Sequence, residues 1–283
     1  MTKDSLGDRM KNYYEAIPNT KLVRRMPVII RIDGKAFHTF TRGFNKPYDI
    51  VLSNAMIRTM KDLCSNIQGC VFGYTQSDEI TLVLVDYNRL ETSAWFDYKI
   101  QKMCSVAASM ATAYFNKNFA SEVFEYKQSL FKYTPYHPDT EVFEKYKIFK
   151  NNIDTAKNVA VKYEQRIEKN LAMFDARCFN IPKEEVCNCL IWRQQDATRN
   201  SIEMLGRAYF SDKELHKKNC SNIQDMLMET HKVNWNDIET RFKRGCSCYK
   251  DKDDFDNSIW IIDFDMPILT QDRNYVEKHI LVG

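Results

Sequence analysis

VIIRIDG, at residues 28–34, is a short apolar run rich in β-branched side chains that ends in an acid, Asp33. A second run, YTQSDEITLVLV at 74–85, carries Asp78 and Glu79 just before its apolar part. Such runs predict buried strands. A carboxylate at the end of a buried strand is held rigidly, and two that converge form an oxygen-rich site suited to Mg²⁺. Asp-Gly and Ser-Asp-Glu are also ordinary turn sequences, so spacing alone leaves both interpretations open.

Hydrophobic periodicity around these runs predicts a β-α-β-β-α-β order. The expected elements are strands at 27–33, 70–76, 80–86 and 171–179, and helices at 49–67 and 93–117, the first with Asp49 as its N-cap. This order is typical of an α+β, ferredoxin-like domain with helices on one face of the sheet. It places the end of the first strand beside the central hairpin, so Asp33 and Asp78 are expected to meet.

The remaining chain is expected to surround this core. Residues 118–170 read as an insertion, strand-like or irregular at 126–136 and an amphipathic helix at 141–170, suited to packing or to RNA contact. Three further helices are predicted: one with Pro182 at its first position that runs towards Ala197, one at 199–209 and one at 221–230. The domain prediction is therefore a core of 1–117 and 171–210, an insertion at 118–170, and a C-terminal extension at 211–283.

Composition limits the class of protein. The chain has 283 residues, 44% of them hydrophobic, and a net charge of only +3, which neither requires nor excludes a nucleic-acid partner. No apolar run approaches the ~18 residues that predict a membrane span, and residues 1–8 contain acids and no hydrophobic core, so we expect a cytoplasmic protein, with mitochondria left open. Nine scattered cysteines indicate a reducing compartment. The pairs 187/189 and 246/248 are too closely spaced for a typical zinc site.

Four motifs in a fixed order resemble those of the tRNA-histidine guanylyltransferase family, over most of residues 9–250. They are RIDGKAFHTF (31–40), YTQSDE (74–79), FDAR (174–177) and WRQQDATRN (192–200). Members of this family are reverse polymerases that add nucleotides to the 5′ end of tRNA. The resemblance implies a polymerase-palm domain with two Mg²⁺ ions, and nucleoside triphosphates and tRNA as partners. It also implies a homo-oligomer, a tetramer built as a dimer of dimers, and no membrane association.

The resemblance also implies roles for individual residues. Asp33 and Asp78 would bridge the metal ions with the Gly34 carbonyl, and Glu79 would be the third acid, in an outer shell or paired with a base. The residues that would hold the nucleotide are Lys35, Ala36, Phe37, His38, Lys46 and Ser77, with Phe37 either stacked on a base or buried in the core. Those that would serve 5′-end activation or RNA binding are Lys99, Lys102, Arg193 and Asn200. Lys99 and Lys102 share a helix face, and Lys102 matches the family's activation-step lysine.

One departure from the family bears on the substrate. Histidine-specific members carry His-Ile-Asn-Asn after the Trp-Arg-Gln motif, whereas here the residues are Thr198, Arg199, Asn200 and Ser201. The chain therefore resembles the branch of the family whose members are called guanylyltransferase-like proteins. Members of this branch use ATP and GTP to repair truncated 5′ ends of tRNA against a template. Three alternatives remain: a strict tRNA-histidine guanylyltransferase, a palm-type nucleotide cyclase that shares the acids but needs no RNA, and a non-catalytic RNA-binding module.

Overall fold

A single antiparallel sheet organises the computed structural model, which describes residues 5–131, 153–169, 171–252 and 257–281. Its strand order is β4-β1-β3-β2-β5-β6, and every neighbouring pair is antiparallel. The strands are β1 Val28–Gly34, β2 Cys70–Gln76, β3 Glu79–Leu84, β4 Phe174–Asn180, β5 Cys246–Lys252 and β6 Ser258–Asp263. The first four agree with the predicted strands to within a few residues.

Helices surround the sheet. They are α1 Ser5–Met10, α2 Phe37–Phe40, α3 Ile50–Asn66, α4 Ile100–Phe131, α5 Ile153–Lys169, α6 Lys183–Tyr209, α7 Asp212–Leu215, α8 Cys220–His231, α9 Thr240–Arg244 and α10 Asn274–Glu277. Asp49 caps α3 as predicted, because its Oδ1 accepts a hydrogen bond from the Leu52 amide at 2.9 Å. None of the helices in the described ranges is long and apolar enough to cross a membrane.

The sheet is covered on both faces. Ile30 and Ile32 of β1 face a core shared with α3, α4 and α5, whereas Ile29 faces a second core shared with α6 and α10. The two helices of the predicted β-α-β-β-α-β unit, α3 and α4, lie on one face as expected, while α6 and α10, which follow that unit in the chain, cover the other. The β1 sequence fits this arrangement, because three consecutive residues, 28–30, are apolar rather than alternate ones, as befits a strand buried on both sides.

Helix α4 departs most from the sequence prediction. It runs as one helix to Phe131, past residue 117 where the predicted core ended and through Tyr126, where a strand-like segment was expected. Its apolar stripe continues at helical spacing through Phe119, Val123 and Tyr126, all buried in the first core. It begins at Ile100 rather than 93, because Trp95–Tyr98 form a 3₁₀ turn that contains residues of positive φ.

The C-terminal half differs in two further ways. α6 is one continuous helix where two were predicted, which fits the absence of Gly and Pro from residues 195–203. β5 and β6, which the sequence analysis did not predict, extend the sheet beyond β2. The amphipathic helix expected at 141–170 corresponds to α5 only over 153–169, and the remainder of that prediction lies outside the described residues.

Candidate active site

Two acidic residues meet where β1 ends beside the β2–β3 hairpin. Asp33 pairs in register with Glu79, the first residue of β3, and the Gly34 amide donates a hydrogen bond to the Asp78 carbonyl oxygen at 3.1 Å. Ser77, at the turn, has a φ of 50° and donates from its hydroxyl to the Asp78 carboxylate at 3.0 Å. The predicted convergence of the Asp33 strand end with the Asp78 turn is thus present in the fold.

The charges of Asp33 and Asp78 are not offset by any described cationic side chain. Among the residues that the structure describes, neither carboxylate forms an ion pair with a lysine, arginine or histidine. Burial raises the pKa of Asp78, and the nearby Asp33 charge raises it further. A carboxylate whose charge is disfavoured both by burial and by a neighbouring acid fits a divalent cation, which would relieve both costs.

The protein itself supplies few further ligands. No group of three or more His, Cys, Asp or Glu side chains in the described ranges is arranged to hold a metal. Mg²⁺ keeps several positions for water and substrate phosphates, so two carboxylates with a backbone carbonyl suffice for it. The residues present therefore fit the expected donor set of Asp33, Asp78 and the Gly34 carbonyl.

Glu79 lies in a different environment from these two acids. It is buried, and its carboxylate contacts Arg193 Nε at 2.8 Å and an Arg31 guanidinium nitrogen at 3.5 Å. Burial raises the pKa of Glu79, while the two arginines oppose that rise. Arg193 ties α6 to the sheet through Glu79, and it also contacts Asp196 of its own helix at 2.6 Å. Of the two arrangements that the sequence left open for Glu79, the geometry shows the one in which Glu79 is paired with basic side chains.

The stretch after Asp33 turns back tightly. A Cβ on Gly34 would lie only 2.3 Å from the Phe37 ring, so this position accepts no side chain without rearrangement. Phe37 is buried and packs against Phe40, Phe115 and other rings, which places it in the core rather than under a nucleotide base. The other members of this stretch are exposed: Lys35, Ala36 (φ 53°) and His38.

A cavity opens beside the Asp78 turn and brings two predicted residues together. Ser77 and Asn200 line it, and its volume is about 90 Å³. Sequence reasoning missed the rest of its wall, because Tyr48, Arg241 and Phe242 meet only in the folded chain. Tyr48 and Phe242 stack with ring centroids 5.0 Å apart and separate this cavity from a groove that contains Lys46.

Lys99 and Lys102 lie towards the opposite end of the sheet from Asp33. The Phe174 amide, at the Asp33 end of β4, bonds the Thr112 hydroxyl of α4 at 3.2 Å. Lys102 is ten residues earlier on this helix, about 15 Å along its axis. Both lysines line an open groove with Lys11. The structure therefore does not bring Lys99 or Lys102 to the two acids of the same chain.

Arg31 is a residue that the sequence analysis quoted without giving it a role. It lies on the same face of β1 as Asp33, pairs with Glu79, and its guanidinium lies 5.2 Å from the Trp192 ring centroid. A charged residue inside an otherwise apolar strand needs a buried partner. That is the signal by which the sequence could have identified it.

Comparison with known proteins adds independent findings. The model of the family described as Thg1, tRNAHis guanylyltransferase, matches residues 7–182. A bacterial tRNA(His) guanylyltransferase (Thg1)-like protein, solved in complex with ATP, superposes with a TM-score of 0.77 at 39% identity, over 99% of this chain and 100% of that one. A structure of the same description in complex with GTP gives a TM-score of 0.73 at 37% identity, over 98% and 99%. The probable tRNA(His) guanylyltransferase of Dictyostelium discoideum is 21% identical, over 81% of this chain and 77% of its own.

Removing the Asp78 charge should stabilise the metal-free protein at pH 7. Because folding raises the pKa of Asp78, the stability associated with its protonated form is complete at low pH and is lost as the pH rises through the raised value. Asp78→Asn should therefore raise the melting temperature at pH 7 without metal, and the gain should disappear in acid, where wild-type Asp78 is protonated. Added Mg²⁺ should stabilise the wild type more than the variant. The measurement is thermal denaturation from pH 3 to 8.

A matched control is Asp225→Asn, which removes the same charge from an exposed position on α8. It should leave both the melting temperature and its response to Mg²⁺ unchanged. If Asp78→Asn is instead less stable than the wild type at pH 7 without metal, the two acids do not form an uncompensated pair.

Proposed function

Because this chain belongs to the Thg1 family of tRNA(His) guanylyltransferases, and is thus a nucleotidyltransferase, we propose that it adds nucleotides to the 5′ end of tRNA in the 3′-to-5′ direction, with the opposite strand as template. One observation carries the proposal. Asp33 and Asp78 meet at the end of the sheet, half-buried and without a cationic partner among the described residues, beside a cavity that Ser77 and Asn200 line. The two solved structures named above contain ATP and GTP respectively, which supports both nucleotides as substrates here.

The proposed reaction has two steps. A 5′-monophosphate end is first joined to AMP from ATP, and pyrophosphate leaves. The 3′ hydroxyl of the incoming nucleotide then attacks the activated 5′ phosphate, and AMP leaves; a 5′-triphosphate end would release pyrophosphate instead. Asp33, Asp78 and the Gly34 carbonyl would hold two Mg²⁺ ions, which when bound favour ionisation of the hydroxyl and neutralise the leaving group.

The remaining residues of the site would bind and orient the substrates. Lys35, Ala36, His38 and Lys46 are exposed next to the acids or on the adjoining groove, where they would contact the triphosphate with Ser77. β1 to β4 with α3 and α4 would form a ferredoxin-like palm, while the ion pair of Arg193 with Glu79 would keep α6 and Asn200 in position. Phe37 would support this loop from the core.

The four residues 198–201 support repair over a strictly histidine-specific role. Ser201 is buried, its Oγ accepts a hydrogen bond from Trp235 Nε1 at 3.0 Å, and both its Oγ and its carbonyl oxygen lie 2.8 Å from the Tyr48 hydroxyl. Because the Ser201 hydroxyl is already hydrogen-bonded within the cavity wall, it is not available to recognise an RNA base. Base pairing with the template would choose the nucleotide instead, because a correct pair positions the 3′ hydroxyl for attack.

The decisive assay uses tRNAs that lack their first nucleotide, with each of the four bases opposite the gap and all four nucleoside triphosphates. We expect the Watson–Crick complement to be restored in each case. Asp33→Asn and Asp78→Asn should each lower single-turnover addition by about a thousandfold or more, since metal-mediated charge stabilisation is worth several kcal/mol of barrier. Addition of guanosine to the histidine tRNA alone would indicate the strict guanylyltransferase, and cyclic nucleotide made without RNA would indicate a cyclase.

Lys102 provides a second test. We propose that it serves the activation step, and from its position such a role requires the RNA 5′ end, or a neighbouring subunit, to bridge the distance between Lys102 and the two acids. Lys102→Ala should then slow extension of 5′-monophosphate RNA more than of 5′-triphosphate RNA, which needs no activation. Lys117→Ala, also exposed on α4, is the control. Equal losses on both substrates would assign Lys102 to general phosphate binding.

The assembly is also part of the proposal. We expect a tetramer, a dimer of dimers, in which one subunit holds the tRNA body for the site of another. Large apolar side chains stand exposed along the N-terminal segment, among them Tyr13, Tyr14 and Ile17, and such a surface suits a contact between copies. Light scattering at micromolar concentration should give four times the chain mass, and a monomer mass would contradict the proposal.

A further inference from the structure

The loop of residues 36–49 carries most of the residues proposed to hold the triphosphate, yet it has little regular structure of its own. Its one helix, α2, is four residues long. Lys46, near its end, and His38, near its start, are both exposed. What fixes the shape of such a loop must come from elsewhere in the fold, and the contacts lead to α5.

Arg166 of α5 binds the first half of the loop. Its Nε donates to the Phe40 carbonyl oxygen at 2.7 Å, and a terminal nitrogen donates to those of Thr39 at 3.1 Å and Arg42 at 3.5 Å. These carbonyls stand at or just after the C-terminal end of α2, where helix carbonyls lack their usual partners; that of Thr39 also accepts from the Arg42 amide at 3.4 Å. One guanidinium thus satisfies three backbone acceptors with its planar fork of donors.

Tyr163, one turn earlier on α5, binds the second half. It is completely buried, and its hydroxyl donates to Asp49 Oδ2 at 2.6 Å. Asn45 is held at the same point, because its amide donates to Asp49 at 2.9 Å and its side chain donates to the Tyr163 hydroxyl at 3.2 Å. The Tyr163 ring also packs edge-on against Phe44, with centroids 4.7 Å apart.

The Arg166 anchor directly follows the tight turn after Asp33, and the residues held by the Tyr163 anchor, Asn45 and Asp49, flank Lys46. We propose that Arg166 and Tyr163 are positioning residues. Through them α5, which lies in the predicted insertion, holds the loop 36–49 in the conformation that binds the nucleotide's triphosphate. The proposal rests on the function proposed above and adds a role for α5 in it. The physical argument is preorganisation: if the loop samples other shapes, the apparent affinity for nucleotide falls in proportion to the fraction that is competent to bind.

Arg166→Ala should raise the KM for the incoming nucleoside triphosphate by about tenfold, with kcat at saturation within a few fold of wild type, since a saturating ligand restores the competent shape. Arg166→Lys should give an intermediate KM, because an ammonium group reaches fewer of the three carbonyls. Tyr163→Phe keeps the ring and removes only the hydroxyl, so it should raise KM without a large loss of stability. The control is Lys157→Ala, which removes a cation from an exposed position on the same helix.

Hydrogen exchange followed by mass spectrometry supplies a readout that does not depend on turnover. In Arg166→Ala, peptides that cover residues 36–49 should exchange faster, while peptides from β1 and β3 should match the wild type. An unchanged KM, or exchange that rises throughout the chain together with a fall in kcat and melting temperature, would overturn the positioning role. Wild-type protein that adds no nucleotide to tRNA would instead refute the proposed function, so the two failures are distinguishable.

Discussion

The antiparallel register between β1 and β3 is the constraint on which the site depends. It sets Asp33 opposite Glu79 and brings the Gly34 amide to the Asp78 carbonyl. A slip of one residue would turn Asp33 to the other face, because successive side chains of a strand point in opposite directions. Such a slip would also move Arg31 away from Glu79 and into the apolar core that Ile30 and Ile32 face. The core packing therefore fixes the position of the carboxylates.

Within this frame, three acids close together in the fold have different electrostatic roles. Glu79 is neutralised by Arg193 and Arg31, and it joins the sheet to α6. Asp33 and Asp78 lack a cation of the protein's own in the described ranges, and their charge is available to a ligand. In the described ranges the arginines contact Glu79 but neither Asp33 nor Asp78, which distinguishes the carboxylate that joins two elements of the fold from the two that we propose to bind metal, although all three are adjacent in the folded chain.

The sequence predicted the parts of the molecule that rest on local pattern. Alternating and continuous apolar runs located β1 to β4, the N-cap position identified Asp49, and strand order predicted that Asp33 and the Asp78 turn meet. It failed where long-range packing decides. The continuation of α4 past residue 117 depends on Phe119 and Val123 reaching the core, and β5 exists because β2 offers it an edge. Tyr48, Arg241 and Phe242 come from distant segments, so no local signal marks them as one cavity wall.

The buried ion pair of Glu79 and Arg193 limits which single substitutions this sequence can accept during evolution. Loss of either partner alone would disrupt a buried charge network, because among the described residues Glu79 would keep only its ion pair with Arg31, and Arg193 only its ion pair with Asp196. A stepwise path through single substitutions would therefore pass through a less stable form of the protein. Related sequences should therefore keep both residues or change both, so that the glutamate and the arginine covary.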